Sequence, residues 1–169
     1  MPKEEHNEGY ERILSLFFNT TGFGYVVMGT PLKVIEKGVK SFKPVSNTKQ
    51  RDTIFQLIEK HRPERVVFEN PLSSKSLKRV RIKRLLRKLR HTFREMGIPF
   101  KCYDRDQIRL VFDLWKAKSK YEIALVISKS LPAFNDYMYE KPVYPKTEHY
   151  RTAAFDAAAL GITHYYVTT

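Results

Sequence analysis

Apolar positions in this chain change period several times, and each change marks an element. Residues 12–18, Arg12-Ile13-Leu14-Ser15-Leu16-Phe17-Phe18, are almost continuously apolar, which predicts a strand buried on both faces. Asn19-Thr20-Thr21-Gly22-Phe23-Gly24 reads as a turn-rich link, and Tyr25-Val26-Val27-Met28 as a second strand. Gly29-Thr30-Pro31 turns the chain again, and residues 32–42 form a third strand with Gly38 in its middle. Strands joined by such short links predict an antiparallel meander.

The period then becomes helical. In residues 48–62, Ile54, Leu57, Ile58 and His61 share one face, and Pro63 stops the helix. Arg65-Val66-Val67-Phe68-Glu69 is a short strand closed by Asn70-Pro71. Residues 76–96 predict a long amphipathic helix with Leu85, Leu86, Leu89, Phe93 and Met96 on one face, ended by Gly97-Ile98-Pro99. Phe100-Lys101-Cys102-Tyr103 is a fifth strand, followed by helical segments at about 104–115 and 119–130. A loop rich in Pro and Tyr spans 131–147, and an Ala-rich helix covers about 149–166. A meander followed by alternating strands and helices predicts an α/β mixed sheet, with an antiparallel three-strand meander plus parallel strands and helices on both faces. Residues 1–10 read as a flexible tail and residues 11–169 as a single domain.

Charge narrows the partners. The chain carries 31 Lys plus Arg against 18 Asp plus Glu, a formal net charge of +13 over 169 residues. Polyanions are the expected ligands, nucleic acid first. The single cysteine, Cys102, excludes an internal disulfide framework and a cysteine zinc site, and favours a cytoplasmic location. No apolar run approaches the ~18–20 residues that span a bilayer, so no membrane partner is expected.

Four features carry candidate chemistry. Glu69 ends a central strand, where ligand sites of open α/β sheets lie. Asp156 stands among Thr152-Ala153-Ala154-Phe155 and Ala157-Ala158-Ala159-Leu160; an Asp in such small, apolar company requires a partner, either a metal or a base such as Arg151. Between Lys75 and Arg94 ten Lys or Arg occur and no acid. A solvated helix normally mixes signs, so Lys78, Arg79, Arg81, Lys83, Arg84, Arg87 and Lys88 are read as nucleic-acid-binding, through phosphates. The Gly22-Phe23-Gly24 turn is a weaker phosphate candidate without P-loop spacing. His149, His164, Trp115 and Tyr137, Tyr139 and Tyr144 are assigned to packing or surface rather than to chemistry.

These segments together resemble the RuvC-like Holliday-junction resolvases of the ribonuclease H-like superfamily. Residues 13–27 look like that family's opening hairpin, roughly I-D-P-G-x-x-x-T-G-Y. Val66-Val67-Phe68-Glu69-Asn70 is similar to the strand bearing its second carboxylate. Asp156-Ala157-Ala158-Ala159-Leu160-Gly161-Ile162-Thr163-His164 is similar to its closing helix, D-A-L-x-x-A-x-x-H. The resemblance implies a ribonuclease H-like fold, Mg²⁺ as cofactor, branched or duplex DNA as partner, and a homodimer.

It also exposes a departure. Counting back from Gly24-Tyr25, the family's first-strand Asp falls on Phe17, and the acidic or His residue one turn before the last Asp falls on Ala153. Of four expected metal ligands, Glu69 and Asp156 remain, so these two are the expected catalytic and metal-binding pair. A two-ion centre holds metals ~3.5–4 Å apart, and a Phe ligates neither. One weak Mg²⁺ held by Glu69, Asp156 and a substrate phosphate is an alternative. Asp104 or Asp106 would be a further ligand, or would cap the helix that follows. The leading expectation is a nucleic-acid-binding protein with an impaired nuclease centre. The alternatives are an active, divergent metal-dependent endonuclease specific for DNA structure, and a non-catalytic interaction module in a DNA-processing complex.

Overall fold

The structure, a computed structural model, describes residues 9–72, 79–142 and 150–168. Most of the expected tail, together with Lys75, Lys78, Tyr144 and His149, lies outside the described residues.

Three strands open the fold: β1 Ile13–Phe18, β2 Gly22–Thr30 and β3 Lys33–Ser41. Helix α1 Asn47–His61, strand β4 Arg65–Glu69, helix α2 Val80–Met96 and strand β5 Phe100–Tyr103 follow. Helices α3 Arg105–Phe112, α4 Lys120–Ser130 and α5 Thr152–Thr168 complete it, with 3-10 segments at Asp113–Trp115 and Pro132–Tyr137. The sheet order is β3-β2-β1-β4-β5. β1 pairs antiparallel with β2 and parallel with β4, β2 pairs antiparallel with β3, and β4 pairs parallel with β5. This is the expected mixed sheet.

Two cores flank it, because strand side chains alternate between faces. Leu14, Leu16 and Phe18 of β1 face one way, with Val66 and Phe68 of β4, and pack beneath α1 and α2. Ile13 and Phe17 of β1 and Val67 of β4 face α3, α4 and α5, and the Ser15 hydroxyl donates to the Ala157 carbonyl of α5 at 2.6 Å. Helix α2 buries one stripe, Ile82, Leu85, Leu86, Leu89 and Phe93. Helix α5 is buried almost all round.

Local signals set the element ends. Ser46 caps α1, its hydroxyl accepting from the Lys49 N–H at 3.2 Å. Asp104 with Gln107, and Ser119 with Glu122, form capping boxes on α3 and α4. Arg62 at φ 48 and Gly97 at φ 69 close α1 and α2 in the left-handed region.

Several expectations need correction. The opening turn is tighter than expected: Asn19 Oδ1 accepts from the N–H groups of Thr21 and Gly22, and Gly22-Phe23-Gly24 already belongs to β2. Gly24 is there for packing, since a Cβ on it would collide with the backbone of Ala153 and Ala154. Gly161 plays the same part from the helix, where a Cβ would lie 3.0 Å from the Met28 sulfur. The two glycines, with the alanines, seat α5 directly on β1 and β2. The 104–115 helix is α3 plus a 3-10 turn, the 131–147 loop contains the 3-10 segment Pro132–Tyr137, and α5 starts at Thr152 and runs to Thr168. No helix of the described residues is long and apolar enough to cross a membrane.

Candidate active site and phosphate interface

Glu69 ends β4, and alternation along that strand places it on the α5 face with Val67. Leu16 pairs with Phe68 in the β1–β4 register, so Phe17 and Glu69 follow as the next position on adjacent strands, and adjacent strands lie about 4.8 Å apart. Asp156 comes from the first half of α5. The three residues line one pocket of about 140 Å³. Its walls are completed by Arg105, Ile108 and Arg109 from α3, Lys118 and Lys120 around the start of α4, Ile123 of α4, and Ala159 of α5.

The two expected carboxylates are therefore brought together, and Phe17 stands beside Glu69 at the end of β1. Ala153 is buried at the start of α5, its backbone pressed on Gly24, and is absent from the pocket wall among the described residues. Asp104 and Asp106 supply no ligand to the wall either. Asp104 caps α3, and Asp106 lies 3.9 Å from Arg109 within the same helix.

Among the described residues, four cations and two anions line this pocket. The Lys120 ammonium lies 3.4 Å from Asp156 Oδ2 and 5.5 Å from the centre of the Phe17 ring. Lys120 thus supplies a base beside Asp156, where Arg151 had been the expected structural partner. Arg151 itself donates to the Asp136 carbonyl and to the Tyr150 hydroxyl, both at 2.8 Å. Glu69 is 3% exposed, whereas Arg109 is 68% and Lys120 41% exposed at the side chain. The acids sit in the floor and the cations at the mouth.

Sequence reading missed these cations because they are dispersed. Arg105, Ile108 and Arg109 share one helical face, and Lys116, Lys118 and Lys120 alternate across a loop. Only the packing of α3 and α4 beside α5 turns them toward one cavity.

The donor set decides which metals fit. Among the described residues no group of three or more His, Cys, Asp and Glu could hold an ion. Among the described residues the pocket offers two carboxylates, one of them beside an ammonium. These residues do not fit a two-ion centre, which needs a ligand shared between the ions.

Basic helix α2 lies on the other face of the sheet. Arg79, Arg84, Arg87 and Lys88 are exposed, while Arg81 and Lys83 are partly buried. The Arg81 guanidinium is partly spent on structure, donating to Asn47 Oδ1 at 2.8 Å and to the Asn19 carbonyl at 3.3 Å. Burial, then the neighbouring Arg79, pushes its pKa down. His164 is a core residue, as assigned. Its Nδ1 lies 2.7 Å from the Tyr103 hydroxyl and its Nε2 3.3 Å from Glu11, and burial lowers its pKa. Tyr137 and Tyr139 pack against the α5-side core.

No protein-family model matches this chain, and no curated protein matches it. The sheet order and the helices on both faces define a ribonuclease H-like fold. Solved structures share this fold over most of the chain. Thermus thermophilus RuvC is 18% identical with a TM-score of 0.63, the match covering 92% of this chain and 95% of that one. T. thermophilus RuvC in complex with Holliday junction substrate is 17% identical with a TM-score of 0.64, covering 94% and 95%. The yeast mitochondrial Holliday junction resolvase Ydc2 is 12% identical with a TM-score of 0.56, covering 94% and 80%. The chain has the RuvC-like resolvase fold.

Proposed function

We propose that this chain is a RuvC-like nucleic-acid-binding protein of the Holliday-junction-resolvase type whose nuclease centre is impaired. One observation carries the reading: the pocket that holds Glu69 and Asp156 also holds Phe17 and four cations. Phosphoryl transfer depends on positioning and charge stabilisation at the phosphorus. Here the first-strand position supplies a ring, and the cations supply charge that binds a phosphodiester without activating a water. A solved neighbour is described in complex with Holliday junction substrate, which supports branched or duplex DNA as the partner. Net charge of +13 and the exposed cations of α2 support it further. Assembly as a homodimer in the cytoplasm belongs to the same reading.

A second reading has an observation of its own. Glu69 and Asp156 share one pocket, so an active, divergent endonuclease would use one Mg²⁺ held by them and by a substrate phosphate. It requires Lys120 to leave Asp156.

The experiment is binding and cleavage of a labelled four-way DNA junction, with and without Mg²⁺ or Mn²⁺. Salt-sensitive binding with no products in either metal is the expected result. Metal-dependent cleavage by the unaltered protein that is lost in Glu69→Gln or Asp156→Asn establishes the second reading instead.

A further inference from the structure

We infer that His164 is a pH-sensitive latch: its neutral imidazole fastens the C-terminal turns of α5 to β5 and to the segment ahead of β1, and protonation in mild acid releases them.

Four side chains from distant parts of the sequence meet beneath α5. His164 is 1% exposed, and Tyr103 of β5 is fully buried. The imidazole Nδ1 lies 2.7 Å from the Tyr103 hydroxyl, and Nε2 lies 3.3 Å from Glu11 Oε1. At the start of β4, Arg65 Nε donates to both Glu11 carboxylate oxygens at 3.1 Å. The next residue of the helix, Tyr165, donates to the Glu11 main-chain carbonyl at 2.6 Å. Helix α5 thus holds the segment ahead of β1 by its side chain and by its backbone.

Proton positions follow from the partners. The Arg65 hydrogen bond keeps the Glu11 carboxyl below its ordinary value, and a carboxylate only accepts. The hydrogen between His164 and Glu11 therefore sits on Nε2, and Nδ1 accepts from the Tyr103 hydroxyl. Protonation breaks this order. The new N–H at Nδ1 points at the Tyr103 oxygen, whose own hydrogen must turn away, and this buried hydroxyl has no second partner among the described residues. A buried donor without an acceptor is costly. The groups facing the ring are Glu11 ahead of β1, Arg65 of β4, Lys101 and Tyr103 of β5, and Tyr165 of α5. Burial disfavours the imidazolium most; Glu11 opposes it, and Arg65 and Lys101 add to it, so the pKa falls below the ordinary 6.5. A folded-state pKa below the unfolded one leaves stability complete above the unfolded value and lost as pH falls below it. Two routes lead from the latch to the pocket. Tyr103 pairs with Glu69 in the β4–β5 register, and Asp156 stands about two turns before His164 on the same helix.

NMR of the full chain, labelled with nitrogen-15 histidine, tests the proton positions without any substitution. The imidazole assigned through its contact with the Tyr103 ring should show a protonated Nε2 and an unprotonated Nδ1 at about pH 7.5, and should titrate below 6.5 in the folded protein. Hydrogen exchange, corrected for intrinsic rates, reads the release. From about pH 7.5 to about pH 5.5, protection of the amides in residues 160–168 should fall by up to about tenfold, the factor for one pH unit below the unfolded pKa, while β2 keeps its protection. His164→Gln keeps an N–H for Glu11 but cannot be protonated, and should lose most of this pH dependence. Should that variant fail to fold, the two measurements on the parent decide. A protonated Nδ1 at neutral pH, a folded imidazole that titrates at or above 6.5, or protection lost evenly over the whole sheet overturns the latch. An equal acid loss in parent and His164→Gln assigns the effect to other groups and overturns it too.

Discussion

The two faces of the sheet solve opposite problems with opposite materials. On the α1–α2 face, large side chains fill a gap: Leu14, Leu16, Phe18 and Phe68 below, Leu85, Leu89 and Phe93 above. Charge is left to the outside of α2. On the α5 face the gap is closed rather than filled. Ala153, Ala154, Ala157, Ala158 and Gly161 bring the helix backbone onto β1 and β2. Charged groups are drawn inward there, into a pocket at the C-terminal ends of β1 and β4. A wide interlayer gap hides polar chemistry poorly, because long apolar side chains occupy it. A close helix leaves a cleft beside itself, between the strand ends and the next helices, and that cleft holds Glu69, Asp156 and four cations. The difference teaches where each face is sensitive: the α5 face to added atoms, the α2 face to lost ones.

The largest expected effect breaks the close approach. Gly24→Val sets a branched side chain against the Ala153 and Ala154 backbone, which cannot swing aside as a side chain would. A loss of about 4 kcal/mol or more is expected, in the class of severe overpacking, and thermal melting measures it. Tolerance of this change with little loss would mean that α5 is not seated as closely as described.

Phe17→Asp comes next and sharpens the reading of the pocket. Removing a partly buried ring costs about 2–3 kcal/mol, below the range for a fully buried Phe, and a new carboxylate beside Glu69 adds repulsion. The variant should therefore melt lower than the parent, and millimolar Mg²⁺ or Mn²⁺ should restore part of the difference. Adding Ala153→Asp is expected to harm folding rather than to supply a ligand, since Ala153 is pressed on Gly24 instead of lining the pocket. Junction cleavage by Phe17→Asp in Mn²⁺ that the parent lacks, removed by Glu69→Gln, would support the proposal that the ring at this position impairs the centre.

On the outer face of α2, Arg84→Ala, Arg87→Ala and Lys88→Ala together should flatten the log–log salt dependence of duplex binding by up to about 3 units, at ~0.9 per phosphate contact. Stability should hardly change, because these side chains are exposed and repel one another. A large drop in melting temperature would give the helix's charges a structural part that the fold does not assign to them.

The smallest effect concerns Glu36, which ties β3 to the end of α1. It accepts from the Lys60 ammonium at 2.8 Å and meets His61 Nε2 at 2.7 Å. The Lys60 hydrogen bond, with His61, holds the Glu36 carboxyl at about 2 against an ordinary 4.5. A depressed folded-state pKa contributes stability above the unfolded value and loses it as pH falls through the folded one. Glu36→Gln should therefore cost about 1 kcal/mol at neutral pH, allowing for partial exposure. The gap between variant and parent should close as pH falls from 4.5 toward 2. A gap that persists at the acid end would assign the contribution to packing.

How much of this was legible in the chain depends on how local the signal is. Strand β1, strand β4, strand β5 and the stripe of α2 are written in residue order, because a buried strand and an amphipathic helix leave their period on the sequence. The small residues of α5 pointed to a helix lying close on a sheet. Glu69 and Asp156 were found as residues whose type conflicts with their neighbours. Gly22 and Gly24 read as a turn because glycine looks the same in a turn and beneath a helix; only the position of Ala153 tells the two apart.

What the sequence by itself determined is the order of elements, their apolar faces, the excess of positive charge and the two carboxylates. Tertiary structure alone decided the pocket's chemistry. Arg105, Arg109, Lys118 and Lys120 carry no shared signature in the chain, and their charges add up only because α3 and α4 pack beside α5 and aim them at one volume. It also decided that the basic helix and the carboxylates lie on opposite faces of the sheet. A strand's alternation says that two faces exist, but which helix covers which face is settled by the crossover of the chain and the packing of the cores.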